Sequence, residues 1–468
     1  MQQFFAILKD SFREAMDGFV IYAMLVMSAL VILLLGSLSF APSEPNDAFT
    51  HIVGNFEDAV VEGGRLRGVL RQYAHFRVED VRSDGNGYKL RLLVTAERRT
   101  NIDDSVDQPK EGDKKEGDKK EPEKYKGDGF RQLVLVWTKL KPERNELPFL
   151  QPVRVTSDEL KNLTDEQFEN YIKKQFDFHA GMNVTVKRVV TGFTEPEYAF
   201  DVTTTGGTAV RGWPHKVSLL FGTWTLPVPI NLGETLFWIQ DRLVNGVGAA
   251  LALLISVVLT AFYIPNMLRK GSIDLLISKP LGRTQLLVYK YIGGLTFIFI
   301  LTAFTVGGVW LALAARSGVW DLSFLIVIPV LTFTFAILYA VSTFAAVFTR
   351  SAIVSILLAV AFAVFLYIVG FVKTIFDTIK SNDRARKEMP EWPFTLVDTL
   401  NNILPRYKDL DKLTTKLLST GTLTQAEMRE RTIDVLDYPS WGSTLGVSLA
   451  FIVVMLALSC WRLNRRDY

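Results

Sequence analysis

Metal binding and nucleophilic catalysis draw on few side-chain types, and this 468-residue chain is short of them: four histidines, His51, His75, His179 and His215, and one cysteine, Cys460. A helical zinc site needs ligands at fixed short spacing, as in HExxH. No HExxH occurs, and the histidines are scattered without ligand spacing. A lone cysteine excludes an intrachain disulfide and a cysteine-rich metal centre. Cys460 closes an apolar run and reads as packing. A phosphate-cradling loop needs GxxxxGK[ST], whose backbone amides, lysine and hydroxyl share the nucleotide's charge. The nearest spacing, Gly112 and Gly117, is followed by Asp118 where the lysine should stand. The chain thus reads as having no catalytic residue, no metal site and no P-loop of its own. Asn162 and Asn183 match the N-x-[ST] glycosylation pattern, which carries meaning only in a eukaryotic secretory setting that nothing in the sequence supports.

Composition says what surrounds these side chains. Hydrophobic residues make up 49% and charged residues 22%, and mean hydropathy is +0.20. A net charge of +3 is too near neutral to argue for nucleic acid. About 20 apolar residues cross a bilayer core, and six runs reach that length: 19–40, 244–264, 291–314, 322–348, 352–372 and 441–461. The first is long for a signal peptide and follows an amphipathic segment, so it reads as an uncleaved span. Arg269, Lys270, Lys279, Arg283 and Lys290 lie between spans two and three. Arg350 lies between four and five, and Arg462, Arg465 and Arg466 follow six. The positive-inside rule makes that side cytoplasmic, with both termini inside and residues 41–243 and 373–440 outside.

Ionisable residues deep in a span mark an ion or proton path, and these runs hold almost none. Asp241 and Arg242 stand at the outer edge of span two, with Asn245 one turn deeper. They read as an interfacial pair with a helix-packing amide or, more sharply, as an outer gate. So sparse an interior argues against proton or sodium relays. It suits a conduit for a bulky or amphipathic substrate, or a machine that moves without transporting.

The segment 41–243 reads as a β-rich α+β domain inserted between spans one and two. Strands are expected in HFRVEDV, YKLRLLVTAE, RQLVLVWTKL, MNVTVKRVV and HKVSLLFGTWTL, which mix β-branched and apolar residues in partial alternation. TDEQFENYIKKQF opens with a capping box, Thr164 to Gln167, and sets Phe168, Tyr171, Ile172 and Phe176 on one helical face. Residues 103–129, with the tandem KEGDKKEGDKKE, are too polar to fold and read as a disordered insertion. Segment 373–440 reads as short helices, one capped by Thr424 and Glu427, with Trp392 and Trp441 at headgroup level.

Between spans two and three runs GSIDLLISKPLGRTQLLVYK, within a cytoplasmic stretch 265–290. Pro265 stops span two. Ile273, Leu276 and Ile277 share a helical face that Leu275 widens, Asp274 and Ser278 line another, and Pro280 and Gly282 end the helix. Spacing alone leaves two readings open: a surface anchor, or a lever tied at both ends to membrane helices.

This stretch resembles the cytoplasmic motif of type-2 ABC-transporter permeases, approximately G-T-[LI]-E-x-L-L-[ST]-x-P-[VLI]-[ST]-R-x-x-[LI]-[LI]-x-x-K. Gly271, Ile273, Leu276, Pro280, Arg283, Leu286, Leu287 and Lys290 fit it. Asp274 replaces glutamate and Ser272 threonine, and Gly282 departs from the usual serine. The N-terminal 1–18 fits too: Phe4, Phe5, Leu8, Phe12, Ala15 and Met16 share one face that continues to Phe19. The resemblance covers about half the chain and leaves out the large outer domain. It implies a non-catalytic permease in a bacterial inner membrane, an exporter by family precedent, working with a second permease and a separate cytoplasmic ABC ATPase that carries ATP and Mg. Gly271, Ile273, Asp274, Leu275, Leu276, Ile277, Ser278, Pro280 and Arg283 would then form the coupling helix and its end. The other reading the sequence leaves open is an ATPase-linked device that transmits force or assembles an envelope complex through its outer domain.

Overall fold

A computed structural model describes residues 19–57, 74–96, 98–99, 127–140, 159, 162–189, 198–268, 282–380, 390–431, 433 and 438–465. The expected N-terminal helix, the charged insertion up to residue 126 and residues 269–281 of the lever lie outside them.

The chain enters through α1 (Phe19–Gly36), an apolar helix of 18 residues, and leaves it by β1 (Ser39–Pro42). The lobe that follows comprises α2 (Pro45–Gly54), β2 (Ala74–Asp84), β3 (Gly87–Ala96), the short pair β4 (Arg98–Arg99) and β5 (Gly127–Asp128), α3 (Gly129–Leu140), α4 (Asp165–Ala180), β6 (Val184–Val189) and β7 (Tyr198–Thr204). Its sheet is antiparallel in the order β2-β3-β7-β6. The register slips at Asp80–Val81, where Asp80 takes a positive φ of 54° and bulges the strand. The helices cover one sheet face around Phe49, Phe56, Phe130, Phe168, Phe176 and Trp213, all with no exposed surface. The Thr164–Gln167 capping box forms at the head of α4, and Gly181 closes its other end with φ 64°.

Two expectations fail within the lobe. RQLVLVWTKL is helix α3, not a strand. Its buried residues Phe130, Leu133, Val134 and Trp137 fall at i, i+3, i+4 and i+7, and burial of that stripe against α4 outweighs the β-branched composition. Tyr198–Thr204 was not expected as a strand, yet it is central in the sheet, bonded to β3 and β6.

A second small sheet forms the stalk. β8 (Pro214–Leu219) pairs with β1, with β9 (Trp224–Thr225) and with β10 (Ile230–Asn231). β8 thus lies between β1, the strand leaving α1, and β10, the strand leading into α5, and the lobe is an insertion between β1 and β8.

The run Leu232–Met267 is segmented: α5 (Leu232–Asn245), α6 (Val247–Thr260) and α7 (Tyr263–Met267). Then come α8 (Arg283–Ser317), a 3-10 turn at Leu322–Ile326, α9 (Val327–Thr349) and α10 (Ala352–Lys380). The shorter α11 (Trp392–Ile403), α12 (Tyr407–Thr422) and α13 (Gln425–Glu430) precede α14 (Trp441–Asn464). Among the described residues five helical runs are long and apolar enough to cross a membrane: Leu232–Met267, Arg283–Ser317, Leu322–Thr349, Ala352–Asp377 and Trp441–Asn464. α1 is the shorter apolar helix beside them, packed along α8. Within the bundle Tyr291 stacks flat on Tyr339, 4.9 Å between centroids, and its hydroxyl donates to the Ala336 carbonyl at 2.7 Å.

Candidate functional site

The two ends of the helical bundle are built differently, and each carries residues singled out by the sequence. At one end α7, α8, α9 and α14 converge. Ile264, Met267, Leu268, Leu286, Leu287, Val347 and Leu463 form one buried apolar cluster there. Leu268 and Gly282 flank residues 269–281. Both sides of that segment therefore feed directly into this cluster. Gly282 caps α8, its N–H reaching the Gln285 side-chain oxygen at 3.4 Å, and Arg283 is the first helical residue. Asn464 donates to the Thr284 hydroxyl at 3.0 Å, tying the end of α14 to the start of α8. Lys290 is almost wholly buried one turn beyond Leu286. Gly271 through Pro280 lie outside the described residues.

At the other end, polar groups are set beside a second buried apolar cluster that includes Leu232, Leu236, Phe237, Val244, Val309, Phe324 and Leu418. Asp241, Arg242 and Asn245 occupy the last turn of α5. Asn245 Nδ2 donates to Asp241 Oδ1 and to Thr415 Oγ1, both at 2.8 Å, and the Thr415 hydroxyl donates to Asp241 at 3.2 Å. The three side chains bind α5 to α12. The Arg242 guanidinium lies over the Trp238 ring at 4.8 Å. The expected pairing of Asp241 with Arg242 is thus replaced by a bond across to α12. Directly after Asn245, Gly246 interrupts the helix in an extended conformation (φ −93°, ψ −168°). A Cβ there would meet the Arg242 carbonyl oxygen at 2.2 Å, so only glycine fits the break.

One face of α12 carries Lys408, Asp411 and Thr415, three and four residues apart. The Lys408 stem crosses Gly370 of α10 so closely that a Cβ on Gly370 would meet Lys408 Cγ at 2.2 Å. Its ammonium lies 3.7 Å from Asp411, 4.5 Å from the Tyr367 ring centroid and 6.0 Å from that of Tyr407. Burial pushes Asp411 up to about 7; Lys408 pulls it down and the Asp241 carboxylate pushes it further up. Burial also raises the Tyr407 hydroxyl. Beneath these groups a cleft of about 250 Å³ runs between α6, α9 and α10, lined by Leu253, Leu254, Val257, Ile337, Val360 and Val364 with Tyr367 and Tyr407 at its rim.

Further hydrogen bonds and ion pairs surround this end. Asn231 donates to Glu427 at 2.7 Å, Glu427 also accepts the Thr424 N–H at 2.9 Å, and Arg431 pairs with Glu234. Burial raises Glu427. Lys373 bridges Asp377 and Asp398, and Lys380 reaches Asp398 at 2.6 Å. The hydrogen bond from Lys380 is the main influence holding Asp398 below the usual carboxylate range.

The sequence singles out Asp241, Asn245 and Arg283 but not Lys408, Asp411, Tyr367 or Tyr407. Ionisable residues were sought inside the spans, and α12 stands outside them. The readable signal was the i, i+3, i+7 placement of Lys408, Asp411 and Thr415 on an amphipathic helix. Among the described residues no group of three His, Cys, Asp or Glu is placed to hold a metal ion.

Long apolar helices that pack by their small and aromatic faces define a multi-pass membrane protein. Residues 73–468 match the family described as ABC-2 family transporter protein, and the chain belongs to that family as an ABC-2 type permease. The match takes in most of the lobe as well as the bundle from α5 onward. No curated protein matches the chain.

Proposed function

We propose that this chain is the membrane subunit of an ATP-driven exporter and that residues 271–278 are its coupling helix, docking on a separate cytoplasmic ATPase. The observation that carries this reading is the apolar cluster at Ile264, Leu268, Leu286, Leu287, Val347 and Leu463. A push on 269–281 enters a packed group shared by four helices, and packed cores shift as units rather than deform. The family membership supports a permease role. ATP and Mg belong to the partner, a second permease completes the path, and both termini lie on the ATPase side. The stalk and lobe then stand on the opposite face of the bacterial inner membrane, and Asp241, Arg242 and Asn245 serve as an outer gate. At that gate Gly246 lets α5 and α6 reorient without breaking either helix.

The test is ATP hydrolysis by the purified partner with and without the permease. Asp274→Arg is expected to remove most of the permease-dependent stimulation while the variant keeps the parent's melting profile. Full stimulation by a folded Asp274→Arg chain would falsify the coupling role.

A further inference from the structure

The rim of the cleft has the chemistry of a cation site, and the chain fills it with its own lysine. Two tyrosine rings face the Lys408 ammonium at 4.5 and 6.0 Å, and a carboxylate stands 3.7 Å away. Aromatic faces and a carboxylate converging on one point attract an ammonium by ring quadrupole and charge. The ion pair is longer than a hydrogen bond, so Lys408 is held by field and packing rather than by a donor locked on an acceptor. The charged groups acting on Asp411 are Lys408 and the second carboxylate, Asp241.

Below the rim the lining turns apolar. At about 250 Å³ the cleft exceeds the ~150 Å³ cavity that suffices for benzene. Leu254, Val364 and Tyr367 on its flank are exposed along the membrane-crossing helices, so the cleft opens sideways toward lipid as well as upward to the rim. A ligand matching both parts has a cationic head and an apolar body.

We infer that the α6–α9–α10 cleft binds an amphipathic organic cation, an ammonium on an apolar tail, whose head displaces Lys408 from between Tyr367, Tyr407 and Asp411. The inference rests on the export reading for its purpose and names the substrate class of that path. Lys408 acts as a tethered competitor. It neutralises the rim when the cleft is empty and swings away when a stronger cation arrives.

The test is retention of labelled octyltrimethylammonium by the full chain in lipid nanodiscs, corrected for empty discs, with octyl sulfate and octyl glucoside as tail-matched controls. The cation is expected to be retained and the two controls not. Lys408→Met should tighten binding and Asp411→Asn weaken it, each about tenfold, and Leu253→Trp should abolish it by filling the cleft. Opposite signs for two partners of one ion pair are a readout that a structural defect does not give. Equal retention of octyl sulfate, same-sign changes in the two variants, or binding that survives Leu253→Trp would overturn the site. So would unchanged cation binding in Val364→Cys chains cross-linked copy to copy, because a second copy would then cover the cleft. No ATPase enters the measurement. A failed cation result beside an intact Asp274→Arg effect removes this site and leaves the coupling reading standing; the converse result does the reverse.

Discussion

The two ends of the bundle solve the same problem, holding four or more helices together, and differ in what is added to their apolar packing. The α7–α8–α9–α14 end is closed by leucine, isoleucine, valine and methionine, with Asn464 to Thr284 as a peripheral hydrogen bond. The α5–α10–α12 end has its own apolar cluster, with Leu236, Phe237, Val244 and Leu418, and adds polar ties between helices through Asp241, Asn245 and Thr415, through Lys408 and Asp411, and through Lys373, Lys380 and Asp398. An apolar contact has no substitute partner when helices separate, because a void simply loses its contacts. A polar contact near water does, because water or a ligand can take over each bond at small net cost. The first end suits transmission of displacement as a block, and the second suits opening and closing.

The largest expected effect tests the apolar end. Leu287 has no exposed surface. Leu287→Ala should cost about 3 kcal/mol, chiefly through the cavity left behind. Hydrogen exchange should rise together in α7, the start of α8 and the ends of α9 and α14. If exchange rose in α8 alone, that end would not be a block and the contrast would fail.

The contrast was only half legible in the sequence. The long spans follow from uninterrupted apolar runs, and the Thr164 and Thr424 helix starts follow from local capping chemistry that needs no tertiary partner. The segmented entry into the bundle does not. Leu232–Asn245 is amphipathic, and its buried Leu236, Phe237 and Gln240 make sense only against α12 and the other helices packed on it. Gly246 looks like any small residue at a span's edge until the Arg242 carbonyl is seen 2.2 Å from where a Cβ would stand. The α3 helix was hidden because valine, leucine and tryptophan serve strand and helix alike, and the packing partner α4 decides. The Asp411 rim was hidden because Lys408, Asp411, Asp241 and Tyr367 meet only in space, from three elements distant in sequence.

A smaller effect should appear at the polar end as a dependence on pH. Asp411 rises from its ordinary carboxylate value to about 7 on folding, mainly through burial, with Lys408 opposing and Asp241 adding to the rise. The native chain keeps a proton that the unfolded chain gives up, so stability falls as pH climbs from about 4 to about 7 and is lowest above that. The slope is at most about 1.4 kcal/mol per pH unit, and between pH 6 and pH 7 a loosening of about 1 kcal/mol is expected in the exchange rates of α12 after correction for intrinsic exchange. Asp411→Asn should flatten the profile. A profile of the same shape in that variant would assign the dependence to another group.

The smallest effect is the sharpest test of replaceability. Asp241 accepts two hydrogen bonds, from Asn245 and Thr415, and is only partly buried. Asp241→Ala removes both, yet Asn245 still donates to Thr415 at 2.8 Å and water can reach the vacated positions. The carboxylate also repels Asp411, and deleting it relieves that cost. The two terms oppose each other, so the net loss should be about 0.5 kcal/mol, well below that of Leu287→Ala. Removing the repulsion should also shift the midpoint of the α12 profile to lower pH. A loss as large as that of Leu287→Ala, or a midpoint that stays put, would mean that Asp241 is a fixed strut and not a contact that water can stand in for.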